Sequence, residues 1–139
     1  MQINREKTRI VNLQKSGQSL DFLGYTFRYD RNLHGPGRYW RVAPSRKTME
    51  RARDRLRQLI NQHQCHTPLP ELIGRLNRYL RGWSGYFRLG YPQRAFNHLN
   101  QFLGYRLHHH LHRRSQRGWR PRQGVSLYAH LQHLGLKTL

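Results

Sequence analysis

The stretch Leu76-Asn77-Arg78-Tyr79-Leu80-Arg81-Gly82-Trp83-Ser84-Gly85-Tyr86-Phe87-Arg88 decides how this chain is read. Placed on a helix, it extends a stripe begun by Leu69, Leu72 and Ile73. Leu76, Tyr79, Leu80, Trp83 and Phe87 all stay within an arc of about 120°. Opposite that arc stand Arg75, Arg78, Arg81 and Arg88, with Gly74, Gly82 and Gly85 among them. An interior glycine costs a helix about 1 kcal/mol relative to alanine, and an exposed one recovers nothing from packing. Two explanations stand. Either the glycines admit another backbone, a phosphodiester chain lying between the arginines, or Gly82 and Gly85 end or kink the helix. Tyr79, Trp83 and Phe87 lie on the apolar arc and read as core, not as base-stacking platforms.

Working outward, Thr67-Pro68 opens this second helix, proline being tolerated in a first turn. A first helix begins after Ser45, a residue suited to cap it, with Met49, Ala52, Leu56, Leu59, Ile60 and His63 as its inner stripe and Arg51 and Arg55 outside. A third starts near Pro92 and carries Phe96, Leu99, Leu103, Leu107 and Leu111 in one line. Residues 115–124 are rich in Arg and Gly and read as irregular, and residues 126–134 suit one last short helix. Upstream the pattern is that of strands: residues 8–13, then 20–27, then 39–42, with turn chemistry at Asn32 and Gly35-Pro36-Gly37 that points to a hairpin. The fold class expected is α+β, a short β-hairpin piece followed by a three-helix bundle and a basic tail.

Charge narrows the function. The chain has 139 residues and a formal net charge of +20. Beyond Glu71 there is no acidic residue, against twelve Lys and Arg and seven His. Such a surface repels itself unless a polyanion neutralises it, which points to nucleic acid. Arg outnumbers Lys by twenty-two to four, and the planar guanidinium suits phosphate forks and stacking on bases. Two-metal nucleotidyl transfer needs clustered carboxylates, so this composition argues against stand-alone catalysis. Cys65 is the lone cysteine, which makes a reducing, cytoplasmic setting the expectation, and no apolar run approaches the roughly 20 residues of a membrane span.

Two histidine groupings invite a metal reading. His108 and His112 lie four apart on one helical face, and Cys65 sits between His63 and His66. Neither has a nearby acid to complete a site, so no metal and no cofactor is assigned, and Cys65 reads as an ordinary loop thiol. His110 tilts toward the apolar stripe. The segment 113–122 interleaves Arg with Trp119, a composition suited to unstructured contact with RNA by charge and stacking, or to a basic tail with no partner.

The quoted stretch 76–88 resembles the core motif of the maturase-specific domain, or domain X, of group II intron-encoded reverse transcriptases. Leu20-Asp21-Phe22-Leu23-Gly24-Tyr25-Thr26-Phe27 is similar to the hairpin that closes the palm of those enzymes, and Asn4-Arg5-Glu6-Lys7-Thr8 to the segment just before it. Three motifs in order extend the resemblance over residues 3–114. It implies a palm end at 1–44, a maturase-specific helical domain (the thumb) at 45–114, and a basic tail at 115–139. It also implies binding to group II intron RNA and help with its folding and splicing, the RNA performing the chemistry. Phosphate contact then falls to Arg75, Arg78, Arg81, Arg88, Arg113 and Arg114, with Arg51 and Arg55 of the first helix added. The paired aspartates of the family's catalytic loop are missing, so polymerase activity does not transfer and Lys7 is assigned no catalysis. The alternative is the thumb and primer-grip part of a split or truncated RNA-directed DNA polymerase, with a DNA primer and template and a separately encoded palm and fingers fragment as partners, or a non-functional remnant of one.

Overall fold

The computed structural model describes residues 10–117 and 119–139. The Asn4–Thr8 motif, Lys7, and the start of the strand expected at 8–13 lie outside them. Residues 10–13 form no strand. Three antiparallel strands follow in the order β1 (Ser19–Phe22), β2 (Tyr25–Arg31) and β3 (Arg38–Pro44). After them come α1 (Arg46–Leu59), a short 3-10 helix (Gln62–His66), α2 (Leu69–Tyr86), α3 (Gln93–Arg113) and α4 (Leu127–His133). The class is α+β, as the residue pattern led us to expect.

Residues 20–27 span a hairpin, as the resemblance implied, where the residue pattern by itself pointed to a single strand. Leu23 and Gly24 make the turn with φ of 50° and 83°. Positive φ at both central residues gives a tight hairpin whose twist matches its strands. The turn is then held by α1. The Gly24 carbonyl accepts the Ser45 N–H at 2.8 Å and the Thr48 hydroxyl at 2.7 Å. A Cβ on Gly24 would lie 3.0 Å from Thr48 Oγ1 and 3.1 Å from Phe87 Cζ, so a glycine is needed there on both counts. Ser45 caps α1 as expected, accepting the Thr48 N–H at 3.2 Å.

Further ties bind the sheet to the helices. The Tyr25 hydroxyl donates to the Tyr86 carbonyl at 2.5 Å, and the Tyr91 N–H donates to the Val42 carbonyl at 2.8 Å. Tyr25 is buried against Phe87, with ring centroids 5.1 Å apart. The core runs from there through Leu56, Leu76, Leu80, Leu103 and Leu107 to Leu131 and Leu136.

Two further expectations change. α1 stops at Leu59, so His63 belongs to the 3-10 helix and is exposed instead of completing the α1 stripe. Trp119 packs partly buried against the core, its ring 5.3 Å from that of His130, and is not a free stacking platform in a loose tail. α4 forms over most of the expected residues, with Ser126 accepting the Ala129 N–H at 3.1 Å.

Candidate nucleic-acid interface

α2 is one continuous helix from Leu69 to Tyr86, so Gly82 does not end it, and Gly85 stands in its last turn, one residue before its end. Its apolar arc turns inward: Leu72, Ile73, Leu76, Leu80 and Trp83 are buried. Its opposite face is bare. Gly74, Gly82 and Gly85 are exposed, and apart from the adjoining helix backbone and chain neighbours nothing described lies within 4 Å of where a Cβ would stand on any of them. In helical projection Gly85 lies between Arg78 and Arg81, so exposed backbone is flanked by two guanidinium groups.

The expected arginines separate by what holds them. Arg78, Arg81 and Arg88 are exposed and have no carboxylate partner among the described residues. Arg75 is half neutralised: its Nη2 donates to Glu71 at 2.5 Å and its Nη1 to Gln64 at 3.3 Å. Arg114 is a strut, donating to the Thr67 carbonyl at 2.7 Å and so tying the end of α3 to the start of α2. Arg113 is exposed at the same end. Arg51 and Arg55 are exposed on α1, beside Tyr79 and away from the Arg81 side of α2. Burial pushes the Tyr79 hydroxyl above its ordinary pKa, and Arg55 partly opposes this.

Where the acids sit explains the field. Asp30 takes Arg28 at 3.0 Å and Arg41 at 3.6 Å, Glu50 takes Arg46, Asp54 takes Arg57, and Glu71 takes Arg75. Asp21 accepts the Thr26 hydroxyl. Every described carboxylate side chain is therefore engaged locally on the sheet, α1 or the first turn of α2. These exposed pairs are each worth little in stability. Their effect here is to leave the last three turns of α2 with no carboxylate side chain among the described residues.

Beside those turns lies a groove of about 470 Å³, lined by Asn77, Arg81, Ser84 and Arg88, with Leu80 and Phe96 on its apolar side and Lys137 from the C-terminal segment. The sequence reading missed Asn77, Ser84, Phe96 and Lys137. Lys137 is 49 residues from Arg88 in the chain and reaches the groove only through tertiary contacts, so no local pattern marks it. The residues assigned to phosphate thus divide: Arg81 and Arg88 meet at this groove, Arg78 flanks it across Gly85, and the others stand elsewhere.

The histidine groupings stay small. His108 and His112 bring their Nε2 atoms to 3.1 Å, but no cluster of three metal-ligating side chains forms among the described residues. Cys65 is a free, half-buried thiol. No helix among the described residues is long and apolar enough to cross a membrane.

No curated protein matches the chain. The family model of the group II intron, maturase-specific domain, matches residues 49–126, which takes in most of α1, all of α2 and α3 and the arginine-bearing face. With more than half of its length matched, the chain belongs to the group II intron maturase-specific domain family.

Proposed function

We propose that this chain is an RNA-binding module of the maturase type, which binds folded group II intron RNA and assists its splicing while the RNA performs the chemistry. The observation that carries this is the bare face of α2, where Arg78, Arg81 and Arg88 surround exposed glycines and pair with no carboxylate side chain among the described residues. Folded RNA packs phosphates against one another, and a rigid cationic helix set between two such elements offsets their repulsion. The exposed helix backbone lets a sugar–phosphate chain come close, and the arginines fix its register.

The test is a competition. Binding of a group II intron transcript is measured against an unrelated structured RNA of equal length at near-physiological salt, in the wild type and in two charge-reversal pairs. Arg81→Glu with Arg88→Glu abolishes the preference for the intron, whereas Arg31→Glu with Arg38→Glu on the sheet leaves most of it. Equal loss from both pairs, or no preference in the wild type, overturns the reading.

The open edge of β1 favours a second reading. Among the described residues β1 pairs only with β2, and Leu20 and Trp40 on the same sheet are left partly exposed. An unpaired edge is a template for another strand. In this reading the chain supplies the thumb and primer grip to a separately encoded palm and fingers fragment acting on a DNA primer and template. Restored complementary-DNA synthesis on mixing the two chains distinguishes it from the first.

A further inference from the structure

Gly85 and Arg88 each line two grooves at once. On one side of α2 is the basic groove already described, with Arg81 and Lys137 at its rim. On the other, between α2 and the sheet, is an apolar groove of about 490 Å³ lined by Phe22, Leu23, Tyr86 and Leu89. Phe22 is 58% exposed and Tyr86 53%, so aromatic surface lies open to solvent there. No carboxylate side chain lines either groove. The saddle between them is the backbone at Gly85, with open space where a side chain would be.

A ligand that fills both grooves must alternate negative charge with flat apolar surface at short intervals. Duplex RNA presents phosphates but keeps its base faces within its own stack, so it leaves Phe22 and Tyr86 unused. An unpaired strand exposes both, and base–aromatic stacking is tolerant of sequence. Each groove falls in the size range of pockets that hold small organic ligands, which includes a nucleobase.

We propose that an unpaired segment of RNA crosses α2 at Gly85, with phosphates on Arg81 and Arg88 and one base in each groove. This rests on the RNA-binding reading above and adds to it the strandedness of the RNA at this site. Arg88, shared by the two grooves, takes the phosphate that links the two bases. Gly85 keeps the crossing point low enough for the strand to pass.

The experiment measures fluorescence anisotropy of the full chain with a labelled oligouridine of about ten nucleotides and with a duplex RNA of equal length. The single strand binds about tenfold tighter than the duplex. Gly85→Leu fills the saddle with a good helix former; it weakens single-strand binding about tenfold and leaves duplex binding nearly unchanged. Phe22→Ala, a change at an exposed position, shows the same selectivity and guards against a folding defect in the first variant. Equal affinity for the two RNAs, or an unchanged single-strand affinity in both variants, overturns the proposal. Intron preference retained without any strand preference removes the crossing alone. Strand preference without intron preference removes the splicing role and leaves the crossing standing.

Discussion

The side-chain oxygen of Asn77 accepts the backbone N–H of Lys137 at 2.9 Å, while the Asn77 amide donates to the Gly135 carbonyl at 2.8 Å. Asn100 on α3 does the same to Leu139, donating to its carbonyl and accepting its N–H, both at 3.0 Å. Two asparagines, one on each helix, thus fasten residues 135–139 across the bundle and set Lys137 at the groove. Asn77→Ala removes two hydrogen bonds worth about 1 kcal/mol each. Urea unfolding should show a loss of about 1–2 kcal/mol. RNA affinity should fall as far as in Lys137→Ala, because the lysine loses its mooring. An Asn77→Ala protein that binds RNA like the wild type would show that the clamp does not serve the groove.

The exposed glycines predict a gain in stability with a loss of function. Gly74 and Gly82 have open space at the Cβ position, and neither has a positive φ. Alanine at each raises helix propensity by up to about 1 kcal/mol, so Gly74→Ala with Gly82→Ala should stabilise the fold by about 1–2 kcal/mol. Retention of such costly residues makes sense if something must approach the helix closely. The same double variant should therefore bind intron RNA more weakly, measured by filter binding beside the unfolding curve. Higher stability with unchanged affinity would mean that the glycines admit no partner.

Residues whose information is local were the ones that could be read from the sequence. The α2 stripe from Leu72 to Phe87, the Ser45 cap and the α3 line from Leu99 to Leu111 each follow from spacing or from one side chain's chemistry. His110 also lies inward, as its position beside that line implied. What escaped depends on distant partners. Leu23-Gly24 carries no Asn-Gly or Asp-Gly signature, so the family resemblance alone pointed to its turn, which Thr48 and Ser45 hold from the start of α1. Trp119 looked like part of a loose Arg-rich tail because its neighbours in sequence are polar, yet His130 and the core receive it. The arginines could be placed by spacing, but their partners could not. Glu71 takes Arg75 one helical turn away, a pairing that spacing alone allows, whereas the Thr67 carbonyl takes Arg114 from 47 residues off.

Gly90 should be the least tolerant glycine among the described residues. Its φ is +74°, and a Cβ there would stand 2.3 Å from the Val42 carbonyl oxygen, which is also the acceptor for Tyr91. Gly90→Ala must both strain the backbone and push the α2–α3 loop off β3. Each such backbone strain costs roughly 1–3 kcal/mol, before the displaced hydrogen bond is counted. We expect a loss of at least about 2 kcal/mol in chemical denaturation. A variant as stable as the wild type would mean that the loop does not hold the sheet against the bundle.

His110 makes stability depend on pH. It is 3% exposed, and its Nε2 has no hydrogen-bond partner among the described residues. Burial lowers its pKa below the usual value near 6.5, and the charges of Arg114, Arg106 and Arg113 lower it further. The unfolded chain therefore binds a proton at a higher pH than the folded one does. The stability from neutral His110 is complete above the unfolded pKa and is lost as pH falls below about 6.5 toward the depressed folded value, at up to about 1.4 kcal/mol per pH unit. His110→Leu keeps the side chain apolar on the buried face of α3 and should lack this component. The other histidines are common to both proteins and cancel in the difference between their stability curves. Parallel curves for the two proteins between pH 7 and pH 5 would refute the assignment.

Salt dependence should count the phosphates that the arginines hold. Each phosphate neutralised releases condensed counterions, so log affinity falls with log salt by about 0.7 per contact on single strands and about 0.9 on duplex. Arg78, Arg81, Arg88 and Lys137 together would give a slope of about −3 on a single strand. Arg81→Ala with Arg88→Ala removes two of these contacts and should make the slope shallower by about 1.4. Arg75 and Arg114 behave differently because their guanidinium groups are already held by Glu71 and by the Thr67 carbonyl. Arg75→Ala should leave the slope nearly unchanged, since it also frees Glu71. Arg114→Ala should lower stability by cutting the strut to α2, with its slope still that of the wild type. If all four arginines moved the slope equally, the distinction drawn from their partners would be wrong, and the chain would bind RNA through diffuse charge instead of through one face of α2.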